Sequence, residues 1–144
     1  MGKQSQINGK TFEIQLCWWL RKNGYYPEYH EKSASGSQNG DITAIKDNIA
    51  YKIECKNLEN STGRFPLSRI EMNQTLSYKA FKECGNSNFI LAIRWGDNVY
   101  FVDFGLVQFY DKSIPLKDLE PTITNWNKFV DKLNNKWYNY NWWR

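Results

Sequence analysis

The sequence predicts a mixed α/β domain, with one sheet and helices packed on it. Three observations lead there. Apolar residues recur at spacings of three and four along two long segments, and period-two alternation marks two pairs of short segments, each pair joined by a tight turn. These patterns follow one another as helix, three strands, helix, two strands, helices. At 144 residues and 17.1 kDa the chain has room for one core, so residues 1–144 read as a single domain.

Residues 1–7 read as a flexible polar N-terminus. A helix is expected from Asn8-Gly9, with Phe12, Leu16, Trp19 and Leu20 on one stripe and Asn23-Gly24 as its stop. Tyr25 to Lys32 reads as an edge strand, because Pro27 removes a ladder donor. A polar loop over 33–40 leads into strands Asp41 to Lys46 and Ile49 to Lys56, separated only by Asp47-Asn48, the length of a tight hairpin.

Residues 57–64 read as loop. Pro66 with Leu67-Ser68 opens a helix to about Glu83, capped by Ser68 with Glu71 three residues on and ended by Gly85. Phe89 to Trp95 and Val99 to Phe104 form a second hairpin across Gly96-Asp97-Asn98, and a short helix follows through Gln108. Pro121 begins a last amphipathic helix, and residues 122–144 end in an aromatic tail that the core reading assigns to burial.

Composition narrows the function classes. Nineteen basic against 15 acidic residues give a net charge of +4, which with 17% aromatic content favours a polyanionic partner but is too mild for coating ribosomal-type RNA. No signal-type apolar core and no run of membrane-spanning length is present, so a cytoplasmic protein without membrane attachment is expected. Cys17, Cys55 and Cys84 lack zinc spacing and read as buried free thiols, and the one histidine, His30, lacks a ligand-type neighbour. Zinc and a histidine-based nucleophile are thereby excluded.

The chemistry concentrates in the first hairpin. A two-residue turn at Asp47-Asn48 pairs Lys46 with Ile49, and the same register sets Asp41 opposite Glu54 while Ile42 meets Ile53 and Ala44 meets Tyr51 on the other face. Opposed like charges destabilise a sheet unless a cation lies between them. Two hard oxygen donors point to Mg²⁺ or Mn²⁺. Lys56 emerges on the face of Glu54, where an ammonium can hold an attacking water or developing phosphorane charge, whereas Cys55 points to the core. Glu13 lies at the border of the first helix's apolar stripe, where it can serve as a third ligand or hold water. Gln74 and Tyr78 share a face of the second helix. Ser33, Ser35 and Ser37 are candidate phosphate contacts, as are Lys10, Lys32, Arg64 and Arg69, and Tyr78 is a further candidate DNA contact.

Gly40-Asp41, Glu54-Cys55-Lys56 and Glu13 on the preceding helix together resemble the PD-(D/E)XK nuclease superfamily, with Gly-Asp in place of Pro-Asp. Gly9-Lys-Thr-Phe-Glu13, the hairpin and Phe65-Pro-Leu-Ser-Arg-Ile-Glu-Met-Asn-Gln74 follow the motif order of RecU-type Holliday junction resolvases of Gram-positive bacteria and their phages, a likeness covering most of residues 8 to 120. The Ser35-Gly36-Ser37 loop is more like the archaeal Hjc-type resolvases, and Gln74-Thr-Leu-Ser-Tyr78 matches a QxxxY element of several nucleases of the superfamily. Two departures stand out. The RecU stalk insertion is missing, since only ten residues separate His30 from Asp41, and Glu71 stands where RecU has histidine.

The resemblance implies a restriction-endonuclease-like fold, a mixed sheet flanked by helices. It also implies metal-dependent hydrolysis of DNA that leaves 5′-phosphate and 3′-hydroxyl ends. Asp41, Glu54 and the carbonyl of Cys55 would hold Mg²⁺, with Mn²⁺ able to substitute, and Lys56, Glu13 and Gln74 would complete the catalytic set. The implied partner is a four-way DNA junction, cut during recombination and repair by a homodimer whose two sites match by symmetry. Two alternatives stay open: another nuclease of the superfamily, restriction-type or end-processing, and a junction-binding accessory protein that does not cut.

Overall fold

The computed structural model describes residues 2–30 and 41–119, with side chains from residue 12 onward. The loop over 33–40, the helix expected from Pro121 and the aromatic tail lie outside the described residues.

The first helix, α1 (Gly2–Lys22), begins earlier than Asn8-Gly9, so the segment expected to be a flexible arm forms its first turns from Gly2 on. A glycine inside a helix costs only about 1 kcal/mol against alanine, too little to make Gly9 a start signal. Phe12, Leu16 and Leu20 are buried, and Gly24 ends the helix at φ +88°, a conformation glycine adopts without steric cost.

Strand β1 (Tyr26–Tyr29) lies at the sheet edge, as Pro27 requires, and pairs antiparallel with β2 (Ile42–Lys46). The hairpin to β3 (Ile49–Leu58) has the expected register, Lys46 with Ile49 through Ile42 with Ile53. Asp47 and Asn48 both take positive φ, 53° and 66°, the turn whose twist matches the strands it joins. β3 runs two residues past Lys56 because it pairs parallel with β5 (Phe89–Trp95) up to Leu58 with Trp95. A two-residue turn at Gly96-Asp97 returns the chain through β6 (Asn98–Asp103), giving the five-stranded order β1-β2-β3-β5-β6. The short helix after it is a 3₁₀ segment, Phe104–Phe109.

The helix expected from Pro66 is divided. Arg64–Pro66 is a strand, β4, paired antiparallel with β7 (Ser113–Pro115) in a second, two-stranded sheet. A 3₁₀ turn over Leu67–Arg69 follows, and α2 (Met72–Glu83) starts only after Glu71. Its cap is therefore Glu71 and not Ser68. The cause is tertiary: Phe65 is fully buried opposite Ile114, a partner 49 residues away that no local pattern shows.

The sheet separates two cores. On one face α1 packs over Ile42, Ala44, Tyr51, Ile53, Cys55 and Ile90. On the other, Tyr78 and Phe81 of α2 pack on a core holding Phe89, Leu91, Ile93 and Phe104. Of the thiols only Cys55 is buried; Cys17 is half-buried and Cys84 exposed, because Cys84 caps the open end of α2. Among the described residues no helix is long and apolar enough to cross a membrane.

Candidate active site

Asp41 stands at the entrance to β2, 1% exposed. Its N–H donates to the Ile53 carbonyl at 3.0 Å, and its own carbonyl accepts the His30 amide at 2.8 Å, so both neighbouring strands fix its backbone. Its side chain is fixed as firmly, because Oδ2 accepts the backbone amide of Cys55 at 2.7 Å. A carboxylate that takes a main-chain N–H makes a charge-assisted bond stronger than the ladder bond it replaces. The paired register ends at Ile42↔Ile53, and Asp41, one residue before it, meets β3 through the Ile53 carbonyl and the Cys55 amide, the two neighbours of Glu54.

Glu54 is 2% exposed and points to the α2 face of β3. Gln74 Nε2 donates to its Oε1 at 2.7 Å, while Oε2 is buried and accepts no hydrogen bond among the described residues. The Gln74 amide is itself oriented, since its Oε1 accepts the backbone N–H of Glu71 at 2.9 Å within the capping box of α2. Lys56, half-buried two residues on, shares the face of Glu54, while the buried thiol of Cys55 turns to the opposite core.

Glu13 stands on α1, which packs on the Cys55 side of the sheet, and is 8% exposed. Its charge is felt by two thiols. Burial, then Glu13, pushes Cys17 up to about 11, and burial followed by Asp41, Glu13, Glu54 and Cys17 pushes Cys55 well above its ordinary value. All three carboxylates thus add to the effect of burial in holding the Cys55 thiol up, Asp41 most among them.

Among the described residues no group of three or more His, Cys, Asp or Glu side chains is arranged to hold a metal ion. A hard divalent cation needs less than that. Mg²⁺ commonly takes one or two carboxylates and keeps waters for its remaining positions, which suits the donors here, two buried carboxylates and a main-chain carbonyl.

The remaining candidates are placed unequally. Arg64 reaches Ser113 Oγ at 3.0 Å, and Arg69 donates to the Asn57 carbonyl at 2.8 Å while stacking on Phe65, so both are exposed beside the far end of β3. Tyr78 shares a face of α2 with Gln74 and is half-buried, its ring packed against Phe89 and Phe104 at the edge of that core. Lys10 lies on α1, and Lys32, Ser33, Ser35 and Ser37 lie outside the described residues. Thr43 and Lys52 carry no motif, but the alternation that puts Asp41 and Glu54 on one face puts them there too. His30 is next to Asp41 in the sheet, and strand pairing, not spacing along the chain, brings it there.

No protein-family model matches the sequence, and no curated protein does. Among solved structures the chain is similar to Hjc of Archaeoglobus fulgidus, a Holliday junction resolvase from an archaeal hyperthermophile, with a TM-score of 0.56 at 16% identity over 74% of this chain and 86% of that one. At that identity the likeness is one of fold: a mixed sheet flanked by helices in a single domain, the architecture of that resolvase.

Proposed function

We propose that the chain is a Mg²⁺-dependent, structure-specific endonuclease that hydrolyses DNA phosphodiesters at four-way junctions and works as a homodimer in the cytoplasm. The observation that carries this reading is the burial of two carboxylates, Asp41 and Glu54, at one end of the central hairpin, in a fold like that of a Holliday junction resolvase. Two such charges side by side are costly without a cation to join them. Asp41, Glu54 and the Cys55 carbonyl would hold Mg²⁺, and Mn²⁺ would serve in its place. Once bound, the ion supplies Lewis acidity to the phosphoryl oxygens.

The chain's own residues do the rest. Lys56 holds the attacking water or the charge developing on phosphorus, and Glu13 orients that water from the α1 side. Gln74 is a positioning residue that fixes the Glu54 carboxylate. Lys10, Lys32, Ser33, Ser35, Ser37, Arg64 and Arg69 would contact phosphates, which positions DNA without reading its sequence.

The test is cleavage of a synthetic four-way junction beside a linear duplex of the same sequence, with Mg²⁺ and with EDTA. Selective, Mg²⁺-dependent cutting of the junction is expected. Equal cutting of both substrates would make the chain a different nuclease of the superfamily, a reading favoured by the short connection between His30 and Asp41. Junction binding without cutting under any metal would make it an accessory protein.

A further inference from the structure

The sheet face that carries Asp41 and Glu54 continues one row further, to a polar cluster that the proposed mechanism does not use. Thr43 pairs with Glu28 on one side and Lys52 on the other; Thr43 is two residues along its strand from Asp41, Lys52 two from Glu54, and Glu28 two from His30, whose amide bonds the Asp41 carbonyl. Alternation keeps all of them on one face, about 7 Å along the strands from the carboxylates. The cluster is joined through one hydroxyl. Lys52 Nζ donates to Thr43 Oγ1 at 2.7 Å, and His30 Nε2 lies 2.7 Å from the same oxygen.

The cluster is also reachable. α2 packs over the β5 half of this face through Tyr78 and Phe81. Over the β1 and β2 half, Tyr26 is 64% and Ile45 42% exposed and Glu28 is exposed, so among the described residues that half is open. A DNA strand with its scissile phosphate at Asp41 and Glu54 that runs along β2 and β3 would bring its next phosphate over these open rows.

We propose that Lys52, held by Thr43 and His30, binds the DNA backbone phosphate that neighbours the one being cut. This assignment rests on the nuclease reading above. The competing account is a cross-strand ladder of Glu28, Thr43 and Lys52 that serves only the sheet. The two differ in how Glu28 acts. In a ladder Glu28 supports Lys52, whereas at a phosphate site it repels the ligand.

The experiment measures binding of the full chain to a four-way junction and a linear duplex in EDTA over a range of salt concentrations, together with thermal melting. Lys52→Gln is expected to weaken binding about tenfold and to lower the slope of log affinity against log salt by about one. Lys52→Arg is expected to restore most of that slope, and Glu28→Gln to tighten binding a few-fold. Parental slope in Lys52→Gln, or unchanged binding in Glu28→Gln with a lowered melting temperature, overturns the assignment and leaves the ladder. If the unaltered chain cuts junctions while Lys52→Gln keeps the parental slope, only this assignment falls. If the unaltered chain binds neither DNA, the nuclease reading falls with it.

Discussion

Gln74 links the start of α2 to the carboxylate of Glu54 on β3: its Oε1 takes the Glu71 backbone N–H at 2.9 Å and its Nε2 gives to Glu54 Oε1 at 2.7 Å. The first bond leaves the amide one orientation, so the second always presents a donor to the carboxylate. Gln74→Ala removes both and leaves buried Glu54 without this donor. The expected loss is about 2 kcal/mol of stability, with at least about tenfold lower cleavage. Glu71→Ala keeps the backbone N–H and removes only the carboxylate's part of the cap, about 1 kcal/mol, with little change in cleavage. Denaturant unfolding beside a cleavage assay separates the two.

Asp41→Asn tests the metal assignment. Asparagine keeps an oxygen for the Cys55 amide, which donates to Asp41 Oδ2 at 2.7 Å, so the hairpin should fold unchanged. One of the two opposed negative charges disappears. Mg²⁺-dependent cutting is expected to vanish while DNA binding stays equal or tightens, because a charge facing phosphate has been removed. Cutting at a parental rate would refute Asp41 as a ligand.

The part of this site that was legible in sequence is the part set by one short turn. Asp47-Asn48 determines the register, and the register aligns Lys46 with Ile49 through Ile42 with Ile53, while Asp41, just outside it, bonds the Ile53 carbonyl and the Cys55 amide. Gln74 was legible as a face-sharing neighbour of Tyr78, but its bond to Glu54 depends on where α2 begins. That start was misplaced because Phe65 answers to Ile114 across the fold and not to the helical pattern after it. His30 looked isolated for a similar reason: its partners, the Asp41 carbonyl and Thr43 hydroxyl, are 11 and 13 residues away and adjacent only once β1 joins the sheet.

Two glycines should respond differently to alanine. At Gly63, φ is +71° and an added Cβ would stand 2.5 Å from the Trp95 indole, whose Nε1 is held by the Asn60 carbonyl at 2.8 Å. At Gly96, φ is +63° but nothing lies within 4 Å. Gly96→Ala should cost about 1 kcal/mol from the left-handed backbone alone, and Gly63→Ala about 3 kcal/mol, because the indole must also move. Equal melting temperatures for the two variants would contradict the tight approach of Trp95.

The three thiols should react in an order set by burial and by Glu13. Cys84 is exposed and alkylates first, Cys17 is half-buried with its thiol pushed up to about 11, and Cys55 is buried and should react only when the chain unfolds. A thiol raised in the folded state favours folding fully below its unfolded pKa, near 8.5. That contribution is lost as pH rises from there through about 11, because the unfolded chain ionises first. Stability should therefore decline over that alkaline window in part through Cys17. Removing the nearby charge with Glu13→Gln leaves burial, the larger cause, in place, so Cys17 alkylation at pH 8 to 9 should quicken only modestly while Cys84 is unchanged. Mass spectrometry of timed alkylation reads all three sites at once, and an unaltered Cys17 rate in Glu13→Gln would show that the carboxylate does not reach this thiol.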